Sequence, residues 1–465
     1  MATKPEHLET IPTAEKPSRV RRRHRHQRTS KSSSNRASWF VLVALLIFSP
    51  LAFGAVEYWS IATLEFVAVV LAATWMIGGL RGGSLRLQFN ALVASSVGLM
   101  LWVSAQLALG HTLDRAATRD SLLLLFSYLL VYLAVSNEQW SSRWIRRLAM
   151  AISTIGFAIA VFGIVQLFSW NGKIYWLREV DVGVPFGPYV NHNHFAGLME
   201  MTLPTALGIA LSERFNNLLR MVFIFFALIM GMATLLSLSR GGMLSLSLSL
   251  VALVCIYRQR QRTRPALLAV GGLGLLVVAS VAYLDAEPVL RRLLTLQNLG
   301  QETSFTSRLQ IAGDTLQLIR DHPFSGTGLG TYALAIPRYI SHYTSLTWDK
   351  AHNDYLQLLS EVGLAGFSFA VWWIVGFFRR AVKTARNESH PLWAVRIGAF
   401  CGCLAVLFHS FADFNLQIPA NALFFVVLAA LVTRADAPRP GEVRPDRAEP
   451  LAVEKPVERG APAAP

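Results

Sequence analysis

The chain has 465 residues, of which 53% are hydrophobic and 15% are charged. Soluble proteins contain roughly 25% charged residues, so this composition excludes a chain that is disordered throughout and argues against an ordinary soluble enzyme. The net charge is +15. The basic residues lie in short loops between apolar runs, so they indicate membrane topology rather than nucleic-acid binding.

Runs of apolar residues recur along the chain, each long enough to cross the ~30 Å of hydrocarbon in a bilayer. They predict about twelve membrane spans, and the fold class is therefore an all-α polytopic integral membrane protein. The predicted spans lie at roughly 39–56, 60–80, 89–109, 120–136, 148–168, 194–212, 219–238, 242–257, 266–284, 356–378, 393–412 and 417–433. Arginines and lysines concentrate in alternate loops, so the positive-inside rule places these loops and both termini in the cytoplasm.

The two ends of the chain differ in composition from its apolar middle. Residues 1–36 end in a run of basic residues that no acidic residue interrupts, which predicts a disordered basic cytoplasmic arm. Such an arm can attract anionic lipid headgroups, and nucleic-acid binding is a weaker alternative. Residues 434–465 are rich in proline, alanine and charges of both signs, which predicts a disordered cytoplasmic tail. The transmembrane domain then occupies residues 37–433.

Two connections on the opposite side of the membrane are long, at about 169–193 and about 285–355. The second connection contains apolar residues at helical spacing over 307–320, and Pro323 ends this predicted helix. Three glycines then predict a flexible turn, Gly326, Gly328 and Gly330. The glycines lack a following lysine and hydroxyl residue, so they do not form a phosphate-binding loop.

Two arginines are candidates for binding an anion. Arg240 lies in the short outward-facing loop Ser-Arg-Gly-Gly at 239–242. A guanidinium suits bidentate contact with phosphate, and the glycines let the backbone approach it. The alternative is an interfacial arginine that reaches for lipid headgroups. Arg308 begins the predicted loop helix, where a solvated surface position is the simpler interpretation.

His352 lies where the long loop re-enters the membrane. A histidine there can accept a proton as a general base, and Asp354 is a candidate carboxylate to orient it. Asn353 or Asp354 can equally cap the following helix, and the two roles are compatible.

The segment 191–194, where the other long connection re-enters, is dense in hydrogen-bonding groups. Its side chains are candidates for binding sugar hydroxyls or phosphate, namely Asn191, His192, Asn193 and His194, and Arg338 in the long loop is a further candidate. The two histidines have no evident third ligand, so no metal is predicted. Five acidic residues lie within or beside spans, where they either pair with neighbouring helices or serve as ion sites of a transporter, namely Glu57, Glu65, Glu200, Glu361 and Asp413.

Four motifs together resemble the O-antigen ligase-like superfamily, which includes O-antigen ligases and bacterial polysaccharide polymerases. They are Asn-His-Asn-His-Phe-Ala at 191–196, Leu-Ser-Arg-Gly-Gly at 238–242, His-Pro-Phe-Ser-Gly-Thr-Gly-Leu-Gly at 322–330, and His-Asn-Asp-Tyr-Leu-Gln at 352–357 followed by Glu-Val-Gly-Leu-Ala-Gly at 361–366. The resemblance covers about residues 39–433.

The resemblance implies a twelve-span fold similar to the GT-C class of glycosyltransferases, in the bacterial inner membrane. It implies a glycan donor carried on undecaprenyl pyrophosphate, a glycan or lipid A core acceptor, and reaction on the periplasmic side by an inverting mechanism without metal or cofactor. The family's functional constellation falls on Arg240, Arg308 and His352. One departure is Ala312, which stands where relatives often carry tryptophan.

The resemblance leaves the reaction open. A ligase, a polymerase and a protein O-glycosyltransferase differ only in the acceptor. The family also contains members proposed to act in inorganic-carbon uptake, so the alternative function is a transporter of bicarbonate or another small anion.

Overall fold

The computed structural model describes residues 36–82, 85, 87–180, 183–259, 268, 270–272, 274–275, 303–341, 348–387 and 389–434. The basic arm predicted at 1–36, except for residue 36, lies outside the described residues. Most of the span predicted at 266–284 and nearly all of the tail predicted at 434–465 also lie outside them.

Long helices form most of the described chain. They are α1 (Arg36–Leu51), α2 (Tyr58–Arg81), α3 (Ala91–Leu109), α4 (Arg115–Asn137), α5 (Ser142–Phe168), α6 (His192–Ala210), α7 (Asn217–Leu236), α8 (Arg240–Gln259), α9 (Thr303–Asp321), α10 (Tyr332–Ala335), α11 (Asp354–Arg386), α12 (Trp393–His409) and α13 (Pro419–Thr433). Short 3-10 helices lie at Phe53–Ala55, Ile336–Arg338 and Asn415–Gln417. An antiparallel pair, β1 (Lys173–Ile174) and β2 (Arg178–Glu179), lies in the connection between α5 and α6.

Polar residues define where several helices begin. The side-chain oxygens of Asn90, Asp114 and Asn353 each accept hydrogen bonds from two backbone N–H groups in the first turn of the following helix. Such caps satisfy N–H groups that have no partner within the helix. The cap at Asn353 confirms one of the two residues predicted to start the span after the long loop.

Seven of the described helices are long and apolar enough to cross a membrane, namely α2, α3, α4, α5, α7, α8 and α11, while α1, α12 and α13 are shorter apolar helices. Every predicted span except the one at 266–284 coincides with a described helix. An all-α polytopic membrane protein is therefore confirmed, and the total of twelve spans stays a prediction.

Helix α6 lies at the centre of the bundle, where it packs against α5, α7, α8, α12 and α13. From Asn193 to Ala210 every residue of α6 is buried. The closest neighbour is α12, because its glycines admit the α6 backbone. A Cβ atom on Gly398 would lie 2.3 Å from the Pro204 carbonyl oxygen, and one on Gly402 would lie 2.6 Å from that of Met201. Small residues at such crossings are typical of membrane helix packing.

Helix α11 is broken at Gly363, whose φ of 64° lies in the left-handed region. The loop segment 323–328 fills the break. The N–H groups of Thr327 and Gly328 donate to the carbonyls of Ser360 and Glu361, and the N–H of Leu364 donates to the Pro323 carbonyl. Helix α6, by contrast, continues through Pro204.

The glycine turn after α9 is held tightly by its neighbours. A Cβ atom on Gly326 would lie 2.3 Å from the Glu361 carbonyl oxygen, and one on Gly330 would lie 2.2 Å from the Ser121 hydroxyl. The Glu361 carboxylate accepts hydrogen bonds from the Tyr332 N–H and from Gln357. The prediction of a flexible turn is therefore corrected, because these contacts fix the turn against α4 and α11.

The described part of the long loop has a small core of its own. Ile311 and Leu318 on α9 pack against Tyr332, Ile336 and Ala351. The predicted loop helix at 307–320 is confirmed, and it ends at Asp321, before Pro323, as expected. This core fixes α9, and with it Arg308, relative to the start of α11.

Candidate functional site

A buried carboxylate, Asp413, collects three of the basic side chains that the sequence analysis singled out. Asp413 Oδ2 lies 3.3 Å from the Arg308 guanidinium, and Asp413 Oδ1 lies 3.6 Å from His352 Nδ1 and 3.7 Å from His194 Nε2. The side chain of Asp413 is fully buried. We call these four residues the Asp413 cluster. It unites α6, α9 and the start of α11 with the connection between α12 and α13.

A tight turn after α12 places Asp413. The N–H groups of Ala412 and Asp413 both donate to the carbonyl of His409, the last residue of α12, and the Phe414 N–H donates to Asp413 Oδ1 at 2.8 Å. Asn415 then begins a 3-10 helix that leads into α13. The turn therefore holds the carboxylate inward, under the loop helix.

Burial by itself would raise the pKa of Asp413. The contacts with His194 and His352 and the charge of Arg308 outweigh burial, so the pKa of this carboxyl lies well below its usual range. Asp413 is therefore ionised at neutral pH. A buried negative charge without basic neighbours would be strongly unfavourable, so the cluster is held together electrostatically.

Arg308 forks over the turn that carries Asp413. One terminal nitrogen donates to the Ala412 carbonyl at 2.6 Å, and the other donates to Asp413 Oδ2. The side chain remains 28% exposed, and a guanidinium carries five N–H donors, so donors remain for a ligand. The structure thus corrects the simpler interpretation of Arg308 as a solvated surface residue.

His352 adopts a strained backbone conformation, with a φ of 48°. Such strain in a residue other than glycine persists where the surroundings enforce it, often at functional sites. The imidazole lies edge-on between Phe414 and Trp348, with its side chain 21% exposed. Nδ1 faces the Asp413 carboxylate at a distance longer than a hydrogen bond, and this charge favours a proton on Nδ1 and a lone pair on Nε2.

Phe414 separates the two histidines of the cluster. Its ring meets the edge of His194 with a centroid distance of 4.6 Å and that of His352 with 4.9 Å. His194 is buried below this ring, whereas His352 lies where it retains solvent access. The two histidines therefore share one carboxylate in different environments.

The turn that carries Arg240 rests on the start of α6. The Ser239 hydroxyl donates to Asn193 Oδ1 at 2.7 Å, and His192 Nδ1 lies 2.5 Å from the Ser237 carbonyl oxygen. Leu238 in this turn has a φ of 59°. Arg240 is half-buried and is the first residue of α8, where the positive end of the helix dipole adds to its charge.

The predicted sugar-binding segment, 191–194, makes contacts that connect the start of α6 with the Arg240 turn and with Asp413. Asn191 caps α6 by accepting the Asn193 N–H, and Asn193 and His194 are buried against Ser239 and Asp413. His192 and Asn191 remain half-buried. Direct contact of these side chains with a substrate stays a prediction.

Asp354, a predicted partner of His352, instead forms hydrogen bonds with the segment that carries Asp413. Its Oδ2 accepts hydrogen bonds from the Ser410 hydroxyl at 2.7 Å and from the Leu416 N–H at 3.0 Å, on either side of Asp413. Arg338 is exposed in the 3-10 helix after α10, and no contact between it and the cluster is seen in the part of the chain that the structure describes.

The remaining acidic candidates divide by their partners. Glu57 pairs with Arg178 at 2.5 Å, and Glu361 holds the glycine turn. Glu200 pairs with His409 at 3.1 Å. Among the described residues no group of three or more histidine, cysteine, aspartate or glutamate residues is arranged to hold a metal ion.

His409 and Phe414 are absent from the sequence-based candidates, and Asp413 is present there only as a boundary acid. The available signal was the segment 409–415, His-Ser-Phe-Ala-Asp-Phe-Asn, which places several polar residues between two apolar spans. Its significance depends on Arg308 and His352, which are distant in sequence.

An apolar cavity of about 280 Å³ lies beside the site. It follows α11 from Asp354 to Ile374, across the break at Gly363. Its lining includes Leu99, Tyr128, Trp373, Phe425 and, next to the cluster, Asp354 and Leu416. The cavity is therefore lined mainly by apolar residues, and one end reaches the residues that brace Asp413.

Comparison with known proteins supports the resemblance drawn from the motifs. Residues 225–371 match the family model described as O-antigen ligase, and this match supports an O-antigen ligase-like family. The matched range contains Arg240, Arg308 and His352. No curated protein matches the chain.

Proposed function

We propose that this protein is a membrane glycosyltransferase that transfers or polymerises a glycan carried on undecaprenyl pyrophosphate, at the periplasmic face of the bacterial inner membrane. The observation that carries the proposal is the convergence of Arg308 and His352 on the buried Asp413. Both lie in the range that matches the O-antigen ligase family. A polar, charged site beside an apolar cavity suits a substrate with a charged head and a lipid chain.

The two arginines stabilise the leaving group. As the bond between the anomeric carbon and the pyrophosphate oxygen breaks, the electron pair stays on the pyrophosphate and its negative charge grows. Arg308 and Arg240 neutralise this charge. Each arginine should raise the rate of transfer by about 10²–10³-fold, the effect of a single oxyanion donor. Because pyrophosphate already leaves readily, no nucleotide, metal or other cofactor is required in this proposal.

His352 acts as the general base. Its Nε2 lone pair takes the proton of the acceptor hydroxyl while the acceptor oxygen forms its bond to the anomeric carbon, a contribution of about 10²–10⁴-fold. Asp413 stabilises the imidazolium that results. Attack opposite the departing pyrophosphate inverts the anomeric centre. Long contacts in a free enzyme commonly shorten when the substrate binds, which accommodates the distance of 3.6 Å between Asp413 Oδ1 and His352 Nδ1.

The acceptor distinguishes a ligase from a polymerase. A lipid A core acceptor defines an O-antigen ligase, and a growing lipid-linked glycan defines a polymerase. In this proposal the side chains that contact the substrate are His192 and Asn191 at the start of α6 and Arg338 in the loop. The surrounding membrane lipids contact its lipid chain. Both termini face the cytoplasm.

An anion transporter remains the second candidate. A transporter site is typically formed by broken helices whose ends point to a bound ion. In this chain the break of α11 at Gly363 is filled by the backbone of segment 323–328. That contact favours a fixed scaffold around the site over a moving gate.

A deletion strain complemented with wild-type protein or with His352→Ala tests the proposal. The expected result is that the deletion accumulates undecaprenyl-linked glycan and loses a polymer or a capped lipopolysaccharide, and that wild type restores the product whereas His352→Ala does not. His111→Ala, at an exposed histidine, is the matched control and should restore the product. Unchanged glycans together with reduced anion uptake would favour the transporter.

A further inference from the structure

Glu200 and His409 form a buried pair that the mechanism above does not use. Glu200 Oε1 lies 3.1 Å from His409 Nδ1, and the two side chains are 0% and 1% exposed. Glu200 lies on α6 and His409 is the last residue of α12. Two ionisable groups so deep in the protein are tolerated only when each satisfies the other, so removing either one leaves an unfavourable partner behind.

The other edge of the His409 ring lies against Gly241, the residue after Arg240. A Cβ atom on Gly241 would lie 2.4 Å from His409 Nε2 and 2.7 Å from His409 Cδ2. The imidazole therefore occupies the space beneath the first turn of α8. Only a residue without a side chain fits there while His409 stays in place, and Glu200 limits the movement of the ring.

The backbone of His409 is equally engaged. Its carbonyl accepts the N–H groups of Ala412 and Asp413, which begin the turn of the Asp413 cluster. His409 thus contacts the segment of Arg240 through its ring and the segment of Asp413 through its carbonyl. Among the described residues, Glu200, Asp413 and Arg308 are charged groups that interact electrostatically with this ring.

We infer that His409, held by Glu200, is a positioning residue that sets the separation between Arg240 and the Asp413 cluster. The inference rests on the proposed function, because Arg240 matters there as a phosphate-binding group. In the proposed function the two arginines approach the leaving group from different elements, Arg240 from α8 and Arg308 from α9. The ring of His409 packs under the start of α8, and its carbonyl begins the turn whose Asp413 binds Arg308. A displacement of the Arg240 turn misplaces one of the two charges that stabilise the leaving group.

A compensation experiment tests this inference by comparing Gly241→Ala, His409→Ala and the double variant, each purified in detergent. Gly241→Ala should lower kcat for glycan transfer at least tenfold. His409→Ala should lower kcat by itself, and the double variant should be more active than Gly241→Ala alone, because removal of the ring makes room for the new methyl group. Gly313→Ala, at a helical glycine with nothing within 4 Å of the added atom, is the control and should leave kcat unchanged.

Substitution of Glu200 separates positioning from a charge effect. Glu200→Gln keeps an oxygen that can accept a hydrogen bond from the Nδ1–H of His409, so it should retain most of kcat. Glu200→Leu should resemble His409→Ala. The inference would be overturned if Gly241→Ala were as active as wild type, or if the losses of the two single variants multiplied in the double variant. The thermal unfolding midpoints should show the same compensation, and this readout does not depend on glycan transfer. Absence of transfer by wild type would contradict the proposed function alone.

Discussion

The carboxylate of Asp413 accepts a hydrogen bond of 3.3 Å from the guanidinium of Arg308, although the two residues are separated by 105 positions in sequence. The contact ties a helix of the long loop to the turn between the last two apolar helices. It therefore brings a loop residue and an interhelical turn into one site. The same carboxylate faces His352, so a change at Asp413 reaches both proposed catalytic groups.

Replacement of Asp413 by asparagine should abolish most activity. The substitution keeps the size of the side chain but removes the negative charge that holds Arg308 and favours a proton on His352 Nδ1. We expect a loss of about 10²–10⁴-fold in kcat, the range of general-base contributions. Rates of glycan transfer by purified protein measure the effect. Asp120→Asn, at an exposed aspartate that pairs with Arg119, is the control, and equal rates for the two variants would contradict the role of Asp413.

The depressed pKa of Asp413 predicts how stability depends on pH. An ordinary aspartate has a pKa of about 3.9 in an unfolded chain. Because the pKa of Asp413 in the folded protein is lower, ionised Asp413 stabilises the fold fully above the unfolded value, and this stabilisation is lost as the pH falls towards the folded value. The difference in Tm between wild type and Asp413→Asn should stay constant from pH 8 to about pH 5 and shrink below about pH 4. A difference that stays constant as the pH falls from 5 to 3 would show that the pKa is not depressed.

A lysine at position 308 should not support the activity that Arg308 supports. The guanidinium donates simultaneously to the Ala412 carbonyl and the Asp413 carboxylate and still has donors for a ligand. A lysine ammonium is a single point charge without this fork. We expect Arg308→Lys to lose about 10²-fold in kcat, close to the loss of Arg308→Ala. Arg119→Lys, at an exposed arginine, provides the control. Wild-type kcat in Arg308→Lys would show that only charge matters there.

Gly363→Ala should loosen the long loop from the bundle. The added Cβ would lie 2.2 Å from the Phe324 carbonyl oxygen, and the φ of 64° is strained for alanine. The strain alone is of order 1–3 kcal/mol, and the clash adds to it. Limited proteolysis of the loop should accelerate and the Tm should fall. Gly110→Ala also places alanine at a positive φ, of 72°, with nothing within 4 Å, so it is a control for a positive-φ alanine outside the break. Equal proteolysis of the two variants would contradict the role of the loop in filling the break.

Much of the fold follows from the sequence because each span is a local signal. Apolar length predicted the helices, and the prediction that Asn353 or Asp354 caps the following span marked the start of α11, where Asn353 is the cap. The break of α11 was missed because Gly363 in an apolar run has several interpretations. Its meaning depends on segment 323–328, whose backbone supplies the missing hydrogen bonds.

The candidate site was predicted only in part. The motifs identified Arg240, Arg308 and His352, which all lie in the matched range 225–371. Asp413 and His409 lie outside that range, and an acid or a histidine beside a span is ambiguous without its partner. Their contacts join elements that are separated by many residues, and neither hydrophobic periodicity nor spacing reports such pairings.

The central claim is tested most directly by purified protein reconstituted in lipid vesicles with an undecaprenyl-pyrophosphate-linked glycan and an acceptor glycolipid. The measurement is the release of undecaprenyl pyrophosphate together with the mass of the acceptor product. The account predicts release by wild type that matches product formation, with no added nucleotide, and at least a 10²-fold slower reaction for His352→Ala. Equal release by wild type and His352→Ala, or none by a correctly folded wild type with any acceptor, would contradict it.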